Sequence, residues 1–357
     1  MAERPARHAT AGHGGYHAAL VPAEDAELTH VGAGTPGGEY LRRFWHPIAL
    51  VAEVAPLPLP LRVLGEDLVL FRSGRGELGL LHRHCSHRGT SLVYGRPTAD
   101  GIRCCYHGWL FAPDGRLLEA PGEPAGSRLT AGHFQGAYPV LESKGLVFAY
   151  LGPPAERPAL PVYDSFEWPG TDHAALSHHF PCNWLQVHEN CMDAYHATWL
   201  HARHGETQLT PAWAAQPLLG WRETPLGLTT TTVRRVGDML WMTAVDAIRP
   251  NLRQTGFWED AGAERLFARS ALSLWITPID DTSSLMIGLR FFHPETDPHG
   301  LGRKELCGKE SSDVPGQSGG RPLAERQRDP GDWEANTGQR QIAVHALERL
   351  GSPTAAW

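Results

Sequence analysis

Short apolar runs broken by glycine and proline dominate the chain, and helix-type spacing is confined to a few stretches. Leu61–Leu64, Leu68–Phe71, Leu78–Leu81 and Gly145–Leu151 read as β-type runs. Gly74-Arg75-Gly76 marks the turn between the second and third, and Pro113-Asp114-Gly115 marks another hairpin. Together they predict a small all-β domain over 45–155. Ahead of it, Thr35 is a candidate N-cap with Pro36 at the first helical position. The helix it opens carries a stripe of Tyr40, Leu41, Phe44 and Trp45, and Pro47 stops it. Gly152–Pro161 is a stiff, Pro-rich connection and sets the domain boundary.

Beyond that connection the pattern changes. One helix-type segment covers 183–201, followed by strand-like runs at 226–236, 239–245, 271–277 and 284–293. Runs of strands with few long helices predict an antiparallel α+β domain over 156–357. Residues 294–331 are polar and Gly/Pro-rich, without periodicity, and read as a loop. A last helix over 332–350 is expected to turn Ile342, Leu347 and Leu350 inward. The fold class is therefore α+β: an all-β domain, then an antiparallel sheet covered by helices. Residues 1–27 read as a loose tail and 28–44 as a helical segment packing on the second domain.

Composition narrows the function. The chain has 357 residues, enough for two domains with cores of their own. Against 39 acidic residues there are 32 basic ones, so no surface for nucleic acid is implied. No apolar run approaches the roughly 18 residues that span a bilayer, and the first 27 lack a signal-peptide core. His8, His13 and His17 in that tail read as solvated. Cysteines at 85, 104, 105, 182, 191 and 307 show no disulfide spacing, which predicts reduced thiols and a cytoplasmic protein.

Four residues carry the chemistry of the first domain. Cys85-Ser86-His87 is followed after sixteen residues by Cys104-Cys105-Tyr106-His107. Two Cys with two His are the ligands of a Rieske [2Fe–2S] cluster, the Cys on one iron and the His on the other. A structural Cys2His2 zinc site is the rival. Each pair sits in its own loop, with Gly89 and Gly108 freeing backbone amides to turn toward sulfur and Trp109 placed to limit water. A zinc finger would follow one loop with a helix bearing its His ligands; here strand–loop–strand repeats instead. Cys105 is expected to point away from the cluster.

In the second domain, Asp193 and His196 are three apart and share a helical face. His201 lies five beyond His196, about 140° round an ideal helix. Both imidazoles reach one metal only if the helix is distorted or ends near Leu200. Two His and a carboxylate on one face leave neighbouring coordination positions open for O2 at Fe(II). Asp329, Asp332 and Glu334 lie in Arg328–Glu334 near the C-terminus, where negative charge also suits a helix N-terminus.

Gly101–Phe111 and Asp193–His201 closely resemble the Rieske and mononuclear-iron segments of aromatic-ring-hydroxylating oxygenase α subunits. Arg42–Pro47 and Leu64–Phe71 resemble the phthalate-dioxygenase-like branch. The resemblance implies a [2Fe–2S] cluster on Cys85, His87, Cys104 and His107, and Fe(II) on His196, His201 and a C-terminal carboxylate. Register on Ile342 and Glu348–Ser352 puts Asp332 at that ligand position, with Glu334 second and Thr337 departing from the pattern. Asp193 would bridge His196 to His107 of a neighbouring subunit rather than bind iron. The resemblance further implies a homotrimer that takes NAD(P)H electrons from a flavin/[2Fe–2S] reductase or through a ferredoxin. It would hydroxylate a small aromatic or cyclic substrate with O2, by di- or monohydroxylation, with oxidative O-demethylation as the alternative. A bare electron carrier would not need the second domain. Trp199, Met239, Trp241, Trp275 and Phe291 are candidates to line the substrate pocket.

Overall fold

A computed structural model describes residues 15, 20–124, 127–204, 208–209, 211–256, 269–297 and 300–351. The tail histidines His8, His13 and His17 and the C-terminal Ser352 lie outside them.

Three small antiparallel sheets build the N-terminal part. One joins Leu59–Val63, Glu66–Arg72, Leu78–His82 and Ala137–Tyr138. A second joins Arg96–Thr98, Gly101–Arg103, Leu110–Phe111 and Leu117–Glu119. Trp45–Leu50 flanks Leu146–Tyr150 in the third, with Val140–Ser143 on the other side. Val69, Phe71, Ile102 and Phe111 pack with Trp109 into a core under the two cysteine loops. Burying each such side chain favours folding by about 1.5–3 kcal/mol.

The segment 35–47 departs from expectation. Thr35 does cap a helix, its side chain accepting from the Gly38 amide, but the helix runs only Pro36–Leu41. Gly37 and Gly38 are poor helix formers, and Trp45–Leu50 gains more as a fully buried strand. Pro47 does not stop a helix; it sits within that edge strand, where its missing N–H breaks no second ladder.

The larger part is a seven-stranded antiparallel sheet. Its spatial order is Asp172–Phe180, Ser283–Phe292, Leu272–Asp280, Leu252–Thr255, Met239–Ile248, Gly227–Val236 and Leu218–Thr224. Trp184–Asn190 is a helix capped by Asn183, whose side chain accepts from the Leu185 amide. It packs on the sheet through Trp184 and Val187, which share a core with Leu272, Leu274 and Ile276. That core continues into Ile48, Val63 and Leu68 of the N-terminal sheets. The stretch 294–331 contains a short helix, Leu323–Arg328. The last helix is Asp332–Thr337, ended by Gly338; beyond it Ala343 is buried while Leu350 is exposed, contrary to the inward stripe expected. No helix among the described residues is long and apolar enough to cross a membrane.

Candidate metal centres

The two cysteine loops are built alike. Cys85 donates its amide to Thr90 and accepts from the Gly89 amide; Cys104 donates to Trp109 and accepts from the Gly108 amide. Gly89 and Gly108 both take a positive φ, 76° and 74°, which closes each loop and favours glycine. Both thiols are buried, while His87 and His107 are exposed and Cys105 faces outward. The two imidazole centroids lie 4.6 Å apart, and His87 stacks on Trp109 at 4.4 Å. Burial pushes the Cys85 thiol up to about 11, beside Cys104. Two buried thiols with two exposed imidazoles suit an inner, sulfur-held iron and an outer, nitrogen-held one.

His196 and His201 sit on consecutive pieces of one helix. Ala194–His196 is α-helical, and Ala197–His201 is a π-turn. The wider turn, with i→i+5 bonding, brings residues five apart onto one side. Ring centroids are 5.2 Å apart. Their Nε2 atoms stand 3.4 and 3.1 Å from the same Asp332 oxygen, and the three donors all lie within 4.8 Å of one another. This distortion is what the five-residue spacing required.

The surroundings hold each donor. Asp332 accepts from the amides of Asn190 at 3.1 Å and Gln317 at 2.5 Å. Neutral amides orient the carboxylate without cancelling its charge. Burial opposes that charge, but the pull of His201 and hydrogen bonds from both imidazoles outweigh it and hold the carboxyl well below its ordinary range. For His201, burial likewise opposes the charged form, and Asp332 outweighs it and raises the pKa. Gln208 Oε1 pairs with His201 Nδ1 at 2.8 Å and fixes the ring. Two nitrogens and one oxygen, mutually close and half-buried or buried, fit a mononuclear iron site.

Arg234 ties this helix to the sheet. It is fully buried, and burial brings its pKa down to about 10. Its guanidinium donates to Thr232 at 2.8 Å, Ala215 O at 3.2 Å, Thr198 at 3.4 Å and Ala194 O at 3.5 Å. Thr198 lies inside the π-turn. Sequence patterning gave no signal for Arg234, Gln208, Gln317 or Asn190, which come from four separate segments.

The other candidates separate. Glu334 is not beside the imidazoles: it accepts from the Gly331 amide at 2.8 Å and from Arg321 at 2.9 Å. Asp329 pairs with Arg321 at 4.0 Å. Asp193 is the N-cap of Ala194–His196, one oxygen accepting from the Tyr195 amide at 2.8 Å and the other 3.9 Å from His196 Nδ1. That His196 nitrogen is buried without a hydrogen-bond partner among the described residues. The expected pocket aromatics do not line the cavity beside the triad. Trp199 is exposed, Trp275 and Phe291 belong to a separate core, and Trp241 packs edge-on to Trp213. Met239, at the start of the strand Met239–Ile248, is likewise absent from that wall.

Comparison with known proteins agrees with this layout. Residues 44–139 match the Rieske [2Fe-2S] domain. The chain is 43% identical over 341 residues to the tert-butanol monooxygenase / tert-amyl alcohol desaturase oxygenase subunit of Aquincola tertiaricarbonis, covering 91% of this chain and 72% of the relative. It is 37% identical over 346 residues to phenoxybenzoate dioxygenase subunit alpha of Ectopseudomonas oleovorans, covering 92% and 80%. The fold is similar to that of dicamba monooxygenase bound to dicamba, with TM-score 0.60, 20% identity, and coverage of 89% of this chain and 94% of that one.

Proposed function

The chain belongs to the Rieske non-haem iron oxygenases, and within that family we propose a role for each site residue. Cys85, His87, Cys104 and His107 hold the [2Fe–2S] cluster, and His196, His201 and Asp332 hold the mononuclear iron. The protein is an oxygenase component: an oxidoreductase that incorporates O2, with NAD(P)H electrons arriving through a reductase. Bound iron supplies O2 activation at positions that two imidazoles and one carboxylate leave open.

The residues around that centre bind and orient. Gln208 and Arg234 hold the two imidazoles at one side of the π-turn, and Asn190 and Gln317 hold the Asp332 carboxylate. The observation that carries the reading is the approach of His196 and His201 to one Asp332 oxygen. Asp193 is the acceptor toward which His196 Nδ1 points, and we assign it the link to His107 of a neighbouring subunit in a homotrimer. Exposure of His87 and His107 supports such a contact, since a buried tip could not reach another chain.

Hydroxylation of a single carbon is the first reaction, as the 43%-identical relative is named a monooxygenase; an aromatic or cyclic substrate fits the 37%-identical one. The electron donor is a flavin/[2Fe–2S] reductase or a ferredoxin. The proposed domains are 45–155 for the cluster and 156–357 for catalysis, after a helical segment over 28–44 that packs on the second. Four cysteines outside the cluster ligands, Cys105, Cys182, Cys191 and Cys307, form no disulfide and favour a cytoplasmic setting. Iron and acid-labile sulfide assays test the centres: about three irons and two sulfides per chain are expected. Zinc without sulfide would sink the assignment. Product analysis with reductase, NADH and labelled O2 tests the reaction.

A further inference from the structure

A cavity of about 50 Å³ opens beside His196, His201 and Asp332. Three threonines from the sheet form one wall of it: Thr230, Thr232 and Thr243. In the strand Gly227–Val236, Thr230, Thr232 and Arg234 are buried at every second position and so share a face. Two of the three hydroxyls are already committed. Thr232 Oγ1 accepts from Arg234 at 2.8 Å, and Thr232 and Thr243 share a hydrogen bond at 2.5 Å.

Thr230 differs. Its cross-strand neighbours are Val245, which offers its side chain no polar atom, and Trp221, whose indole N–H makes no hydrogen bond to it. The residue is only 2% exposed, and its Oγ1 is buried with no hydrogen-bond partner among the described residues. A buried hydroxyl left unmet costs stability, and such groups are kept where something else meets them. Met192, Leu209 and Val245 make much of the remaining surface apolar.

We propose that Thr230 is the hydrogen-bonding partner of the substrate, and that the substrate is a compact alcohol or phenol. This rests on the oxygenase reading, because the cavity belongs to the proposed iron site. A hydroxyl that can both donate and accept matches another of the same kind. Size points the same way. One water needs roughly 10–15 Å³ of such space, so the cavity seats on the order of four groups of that size, which suits a compact molecule rather than a fused-ring one. Arg253 lines the same cavity and lies against the Cys191 thiol; a carboxylate substrate would use it instead of Thr230.

The test is anaerobic titration calorimetry on the cluster- and iron-loaded protein, where binding is read without turnover. The probes are 2-methyl-2-propanol, phenol, toluene and benzoate. Thr230→Val, close in shape, is expected to weaken binding of the hydroxylated probe about tenfold, with Thr230→Ser close to wild type and toluene unaffected. Whichever of 2-methyl-2-propanol and phenol shows this dependence identifies the source of the hydroxyl. Failure of both to bind wild type, equal binding by Thr230→Val, or benzoate binding more tightly than either without dependence on Thr230 overturns the proposal. Cluster absorbance confirms folding of each variant. Mononuclear iron content of the same samples tests the oxygenase reading separately.

Discussion

His196 and His201 are five residues apart in sequence, and their Nε2 atoms lie 3.4 and 3.1 Å from one oxygen of Asp332. In an α-helix they would diverge by about 140°. The π-turn Ala197–His201 removes that divergence. The turn is anchored from outside, because Arg234 reaches both Thr198 within it and Ala194 O just before it.

Arg234→Met is therefore expected to damage the iron site from a distance. The variant leaves Thr232, Thr198 and two backbone carbonyls short of a donor in a buried setting. A loss on the order of 2–3 kcal/mol follows, with a fall in Tm of roughly 4–10 °C. Iron analysis should show reduced mononuclear iron while cluster absorbance stays normal. Unchanged iron with unchanged Tm would rule out the anchoring role.

The two C-terminal acids should behave differently on substitution. Asp332→Ala removes the oxygen shared by both imidazoles, so mononuclear iron is lost and turnover stops. Glu334→Ala removes a backbone cap at Gly331 and the pairing with Arg321, which costs about 1 kcal/mol and leaves iron in place. Iron assays on both variants decide it; iron retained in Asp332→Ala points to another ligand.

Much of this was legible in the chain. The turn chemistry of Gly74–Gly76 and Pro113–Gly115 marks real hairpins, and the four long strand-like runs match Gly227–Val236, Met239–Ile248, Leu272–Asp280 and Ser283–Phe292. Asp172–Phe180 was not legible, since His173 and the pair His178-His179 interrupt any alternation, and pairing with Ser283–Phe292 decides its state. Phe44 and Trp45 looked helical because they continue the stripe of Tyr40 and Leu41; pairing of Trp45–Leu50 with Leu146–Tyr150 overrode that spacing. At the site, local motifs located the histidines. The residues that orient them come from distant segments, and only the packed structure brings them together. Trp275 and Phe291 failed as pocket residues for a related reason: large apolar residues on a two-faced sheet more often fill a core than line a cavity.

Acid should destabilise the protein through buried histidines away from the metal sites. Burial lowers His178 to about 4, and His46 likewise to about 4. Because the folded pKa is below the unfolded one, the unfolded chain binds more protons as pH falls below about 6.5. Their neutral-form stability is complete above that value and is lost progressively toward pH 4. His178→Gln cannot titrate and offers an amide to Ser312, the present partner at 3.0 Å. Urea unfolding at pH 7 and pH 5 should show the wild type losing about 2 kcal/mol more than this variant. Parallel losses in the two proteins would mean that His178 is not the titrating group.

Asp193→Asn separates structure from electron delivery. Asp193 caps the short helix that carries His196, with one oxygen on the Tyr195 amide at 2.8 Å. Asparagine caps as well as aspartate, so the helix start, the Tm and the mononuclear iron should all be retained. The second oxygen, 3.9 Å from His196 Nδ1, becomes an amide that donates instead of accepting. A metal-held imidazole needs an acceptor at its other nitrogen to keep its tautomer and orientation, and His196 Nδ1 has no other partner among the described residues. Turnover is expected to fall roughly 10–100-fold, while a reductase still reduces the cluster. Asp193→Ala is the control for structure: it loses the cap as well, so its Tm drops where that of the Asn variant does not. The deciding measurement is single-turnover oxidation of the reduced cluster by O2 with substrate bound. A normal rate in Asp193→Asn would confine Asp193 to helix capping, and the path between subunits would have to be sought elsewhere.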